Sequence, residues 1–185
     1  MGFSEILLKE HEPIRRAIKV LGEMASDVEN GVSIDKHDMN ALLIFLHYFA
    51  DAYHQLKQEN ILFPIFKESQ KSVWIEPEVR EQLHDLLKED KEERSAIEKT
   101  RIALFSEDPF DFVASARKLT RLLWEHALKE EQILFPIAER IITPEQADVI
   151  VMRIEEADAE FGCSQRTLLM ELLQELEAKY LRKAA

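Results

Sequence analysis

The sequence holds a single cysteine, Cys163, among 185 residues. A lone thiol excludes a disulfide framework and any site built on paired cysteines, and it fits a reducing, cytoplasmic compartment. Glycine and proline are almost as sparse, at 4 and 6 residues. That is too little turn chemistry for a many-stranded sandwich or barrel, and it favours a handful of long helices. Basic residues are outnumbered 24 to 36, giving a formal net charge of -12. Such a chain, lacking a basic tract, is a poor general nucleic-acid binder. No uncharged apolar run approaches the ~18 residues of a membrane span. The opening MGFSEILLKEHE turns charged within its first residues and has no signal-peptide core. GxSxG, P-loop and glycine-rich nucleotide motifs are all missing, so a nucleophilic hydrolase is unsupported.

What is present is helical periodicity. Hydrophobic residues make up 46% and charged residues 32% of the chain, and the apolar positions recur near every 3.6 residues. Six helices are expected, at about 4–29, 35–69, 78–105, 109–142, 144–160 and 164–181. Their boundaries come from Ser4 as an N-cap, Asn30-Gly31 as a stop, and Ser33 and Asp35 before the second helix. Asp108-Pro109 and Thr143-Pro144 serve as caps, and Gly162 as a break. An internal repeat runs through the first four helices. Leu7–Arg15 resembles Leu86–Arg94, and HQLKQENILFP (His54–Pro64) resembles HALKEEQILFP (His126–Pro136). The order A-B-A′-B′ implies two similar helical hairpins. The expected fold is therefore all-α: an up-down four-helix bundle with a pseudo-twofold hairpin repeat over residues 1–142, plus a C-terminal helical extension over 143–185 packed on the bundle. In the last helix Leu168, Leu169, Leu172, Leu173 and Leu176 form a stripe. Packing on the bundle is the expected use of that stripe, with a homodimer contact as the alternative.

Helix phase, at 100° per residue, sorts the polar residues. His11 lies at the centre of the stripe carrying Leu7, Ile14 and Ile18, and Asp90 at the centre of that carrying Leu83, Leu86 and Ile97. His126 shares a face with Leu119, Leu122, Ile133 and Glu130, whereas Glu131 falls outside it. His54 shares a face with Ile61 and Gln58, whereas Glu59 falls outside it. His47 is also expected to face inward, two turns from His54, as an orienting or core residue rather than a ligand. His84 falls off the stripe, and His37 has no inward position. One inward histidine is ordinarily a hydrogen-bonded core residue. Several convergent histidines with two carboxylates are different, because they repel or desolvate one another unless something positive lies between them. A metal pair in a bundle core meets that need, and imidazole with carboxylate suits iron, with manganese or zinc as alternatives.

The doubled HxxK(E/Q)ExxLFP motif, with LLKEHEPIRRAI before it, resembles the hemerythrin-like or HHE cation-binding family over about residues 5–142. The tail RIEEADAEFG is similar to the extension of bacterial single-domain members. The resemblance implies a bundle around a non-haem di-iron centre that binds or senses dioxygen, nitric oxide or peroxide. It carries ligand roles onto His11, His54 and His126, with Glu130 as a bridging carboxylate. Two positions depart from the family pattern: Gln58 stands at a bridging glutamate and Asp90 at a histidine. The carboxylate count is thereby kept, with the loss and gain on neighbouring helices. Glu59 could substitute for Gln58 only through a local helix rotation or a π-bulge. The expected metal set is His11, His54, Gln58, Asp90, His126 and Glu130, with fewer imidazoles than a dioxygen carrier uses. The alternative expectation is a degenerate bundle, weak or empty of metal, acting as a partner-binding or regulatory module.

Overall fold

The structure is a computed structural model and describes residues 1–106 and 108–181, with only the backbone of Ser72 and Leu87. The last four residues of the expected extension, and the side chain of Leu87 in the repeated segment, lie outside that set. Every regular element among the described residues is helical. The first rod is α1 (Phe3–Glu29). The second runs through α2 (Lys36–Phe45), π1 (Leu46–Gln55), π2 (Gln58–Leu62) and α3 (Phe63–Ser69). The third is α4 (Pro77–Ala103). The fourth runs through α5 (Pro109–Lys129), π3 (Glu130–Leu134) and α6 (Phe135–Ile141). After the bundle come α7 (Pro144–Phe161) and α8 (Cys163–Tyr180).

Local chemistry sets most of these ends. Asp35 and Asp108 each accept a hydrogen bond from the backbone N–H two residues on, and Thr143 forms a reciprocal capping box with Gln146. Proline occupies the first turn of α4, α5 and α7, where its missing N–H costs nothing. Gly162 adopts φ +89°, which lets the chain turn from α7 into α8. Ser4 is not the cap of α1. Gly2 precedes the helix, and Ser4 lies within it, buried, with its hydroxyl on Glu139 of α6.

The rods pack in a closed ring, each against its two neighbours. Two apolar layers fill the interior. One contains Ile14, Ala50, Tyr53, Ala96, Ile97 and Leu123, and α8 covers it with Leu169, Leu173, Leu176 and Tyr180. The other contains Leu7, Ile61, Leu86 and Leu134, and α7 covers it with Ile150 and Ile154. On every rod the inward polar residue falls between the two layers: His11 between Leu7 and Ile14, His54 between Tyr53 and Ile61, Asp90 between Leu86 and Ala96, His126 between Leu123 and Leu134. Leu168, expected in the packed stripe of α8, is instead 66% exposed. No helix among the described residues is long and apolar enough to cross a membrane.

Candidate metal centre

His11, His54, Gln58, Asp90, His126 and Glu130 are all buried and meet in the layer between the two apolar clusters. Glu130 lies at the middle. Its Oε2 is 2.9 Å from His11 Nε2 and 3.7 Å from His54 Nε2, and its Oε1 is 3.1 Å from His126 Nε2. The two oxygens of one carboxylate thus face two different halves of the site. In the first half, His11 Nε2 and His54 Nε2 are 3.1 Å apart, and the Gln58 amide donates to His54 Nε2 at 2.9 Å. One ligand atom from each of His11, His54 and Glu130 falls within a 4.8 Å group. In the second half, Asp90 Oδ1 lies 3.6 Å from His126 Nε2.

The outer nitrogens explain why the inner ones converge. His11 Nδ1–H donates to Glu131 at 2.6 Å, and Glu131 in turn accepts from Arg15 at 2.6 Å. His54 Nδ1–H donates to Glu10 at 2.9 Å, and Glu10 accepts from Lys57. His126 Nδ1 faces Glu89 at 3.4 Å and Glu93 at 3.5 Å, and Glu89 accepts from Lys129. A carboxylate can only accept, so each outer carboxylate favours a ring proton on the outer nitrogen and leaves the inner Nε2 turned toward Glu130.

The repeat organises these chains. Glu10 and Glu89 occupy equivalent places in Leu7–Arg15 and Leu86–Arg94, and Lys57 and Lys129 each follow a site histidine by three residues. Helix phase by itself does not bring Glu10, Glu89, Glu93, Lys57 or Lys129 into the site. Their double occurrence in the repeat is the signal that could have found all but Glu93. Glu131 is a correction: expected to face away, it reaches from the rim of its helix to His11 on α1. Its counterpart Glu59 accepts from Arg94 at 2.6 Å, as Glu131 does from Arg15. There the pattern stops, because Asp90 offers no ring nitrogen to Glu59. A π turn does occur at Gln58–Leu62, yet Gln58, not Glu59, is the residue that touches His54. His47 is a second correction. It is 56% exposed at the side chain and lies 3.6 Å from Asp51 on the bundle surface.

Protons gather where positive charge is needed. Burial pushes the His54 imidazole down, but Glu10 and Glu130 outweigh it and raise its pKa to about 9. Burial also opposes protonation of His126, yet Glu93, Glu130 and Glu89 hold it well above the usual imidazole range. Glu130 has burial pushing it up, and the three histidines hold it well below the ordinary carboxylate range. Asp90 is raised to about 6 and Glu93 to about 7, chiefly by burial.

The hemerythrin HHE cation-binding domain model matches residues 3–138. The chain belongs to that family. No curated protein and no solved structure matched it. The hemerythrin match spans all four rods up to Ala138 in α6, and it leaves α7 and α8 outside.

The residues fit a cation. Asp90 Oδ1, Gln58 Oε1 and Glu130 Oε2 are buried without a hydrogen bond of good geometry, an arrangement costly in a protein interior unless a positive group is close. The outer carboxylates Glu131, Glu10 and Glu89 each have their own cation in Arg15, Lys57 and Lys129. Glu130 and Asp90, facing the centre, are paired with histidines alone and with no lysine or arginine among the described ion pairs.

Proposed function

We propose that this hemerythrin-family protein holds two divalent ions, iron first and manganese or zinc as alternatives, and binds or senses a small diatomic molecule or peroxide there. His11 and His54 with one oxygen of Glu130 form one position. His126 and Asp90 with the other oxygen of Glu130 form the second, and the Gln58 amide completes the first as a weak neutral donor. The observation that carries this reading is the orientation of the three imidazoles. Each keeps its outer nitrogen against a carboxylate and turns its inner nitrogen toward Glu130. A proton network alone would not need three separate carboxylate–cation pairs behind three rings. Second-sphere carboxylates of this kind fix the tautomer and raise ligand basicity. Bound there, a redox-active ion would supply the electrons and open coordination positions that dioxygen, nitric oxide or peroxide uses. The chain's own residues orient the imidazoles with their inner nitrogens toward the centre and exclude bulk water by the apolar layers on both sides.

Reversible dioxygen carriage is the less favoured use. Asp90 in place of an imidazole makes the second position richer in oxygen donors, which shifts potential and metal preference. The test is direct. Protein purified from iron-supplemented cells is expected to carry about two irons per chain, as the number of positions above requires, with visible absorption that His54→Ala/His126→Ala abolishes. Iron(II) is also expected to raise the melting temperature, because a ligand bound only by the folded state stabilises it. Metal-free protein with an unchanged melting temperature would sink the reading and leave the partner-binding module.

A further inference from the structure

The three imidazole–carboxylate–cation chains do not end alike. Arg15 is 35% exposed and Lys129 40%, but Lys57 only 3%. Lys57 is closed off by a helix outside the matched family domain. Its Nζ donates to Asp158 of α7 at 2.8 Å and lies 3.6 Å from the centre of the Tyr53 ring. The same ammonium donates to Glu10 Oε1, while Glu10 Oε2 accepts from His54 Nδ1 at 2.9 Å. A continuous path therefore runs Asp158–Lys57–Glu10–His54, from the C-terminal extension to an inward-facing imidazole.

We propose that Asp158 and Lys57 are positioning residues for His54, so that α7 sets the geometry of one half of the metal centre. The physical reason is rotational. Lysine is a flexible side chain that presents its charge as a point, and it holds Glu10 in one rotamer only if something holds the lysine. Asp158 and the Tyr53 ring do so. Glu10 is then engaged at both oxygens and cannot turn, which fixes the plane and tautomer of His54. Without Lys57, Glu10 Oε1 becomes a buried charge without a partner. Glu10 then swings or takes up a proton, and His54 Nδ1–H loses its acceptor. In the other half of the repeat Lys129 stands open to solvent, so its hold on Glu89 does not depend on the extension. This inference rests on the reading of the layer as a metal centre.

The experiment compares wild type with Lys57→Met, Asp158→Asn, Asp158→Glu and Lys129→Met. Each is titrated with cobalt(II) alone, reading the affinity by calorimetry and the ligand geometry by visible absorption. Lys57→Met is expected to weaken binding about 10–100-fold, the usual size of an outer-sphere loss, and to shift the absorption bands. Asp158→Asn, at a part-exposed position, should weaken binding less and move the bands in the same direction, with Asp158→Glu restoring both. Lys129→Met should leave the His54 half unaltered. Wild-type affinity and bands in Lys57→Met and Asp158→Asn, with only a lower melting temperature, would overturn the proposal and leave Asp158 a structural tether. Failure of wild type itself to take up cobalt would instead overturn the metal reading, and this inference with it.

Discussion

Asp90 is the residue at which the two halves of the repeat part company. In the first half Arg15 holds Glu131 and Glu131 holds His11. In the second, Arg94 holds Glu59 at 2.6 Å, but the residue between them and the centre is a carboxylate. The cradle for an imidazole is therefore in place without its ring. Gln58 is the complementary change, an amide where Glu130 stands in the other half. Gln58→Glu/Asp90→His moves the carboxylate back and supplies a ring nitrogen to Glu59. This double variant is expected to bind iron(II) about 10-fold more tightly, the scale of a supported histidine's outer-sphere contribution, with a changed visible spectrum. Unchanged occupancy and spectrum would mean that neither position touches the metal. Glu10→Gln tests the other side of a ring. It keeps the size of the side chain but halves its acceptors, and should lower metal affinity about 10-fold, measured by the same titration.

The helices carry a lesson about how far a phase can be trusted. Steps of three or four residues survive, since His54 does share a face with Gln58, and His126 with Glu130. The seven-residue step from His47 to His54 does not. It crosses Leu46–Gln55, where each hydrogen bond spans one residue more than in an α-helix and each turn is wider, so the lag accumulates and puts His47 outside. Nothing in the residue types between the two histidines announces a π segment, because the choice is made by packing of the rod against its neighbours. α8 shows a related limit. Leu168 and Leu173 belong to one leucine-rich stretch, yet Leu173 is fully buried in the apolar layer that α8 covers and Leu168 faces solvent. Leu173→Ala is accordingly expected to cost about 2–5 kcal/mol and Leu168→Ala less than about 0.5 kcal/mol, measured by chemical denaturation. Equal losses would mean that α8 packs in another register.

For the whole molecule, the buried polar layer behaves as a proton store. Folding raises the pKa of Asp90 to about 6, of Glu93 to about 7 and of His54 to about 9, and holds His126 well above the usual imidazole range. A raised group stabilises the fold fully below its unfolded value, about 4 for a carboxyl and 6.5 for an imidazole, and that stabilisation is lost as pH climbs through the folded value. The lowered groups, Glu89 at about 2 with Glu10 and Glu130, act in the opposite sense and only in acid. Metal-free protein is therefore expected to melt highest near pH 5, on the order set by those reference values, and to weaken steadily toward pH 9. An ion held by the proposed ligands would displace the protons of His54, His126 and Asp90 and bind more tightly as pH rises, so loaded protein should lose that downward slope. Parallel melting curves for the two forms across this range would place the metal elsewhere.

Much of this was legible in the chain itself. The scarcity of glycine and proline, the 3.6-residue period and the A-B-A′-B′ repeat determine four long rods and, His47 apart, the inward polar residues, because a helix face depends on residues about a turn apart. Tertiary structure decided what stands behind the inward histidines. Glu131 reaches His11 across 120 residues of sequence, Glu10 reaches His54 across 44, and Asp158 reaches Lys57 across 101. Which carboxylate meets the outer nitrogen of a ring depends on how neighbouring rods are set against each other. Whether a lysine is open to water or shut beneath α7 depends on where the extension lies on the bundle. Neither is a property of any one helix, and both bear on which histidine is held most firmly toward the centre.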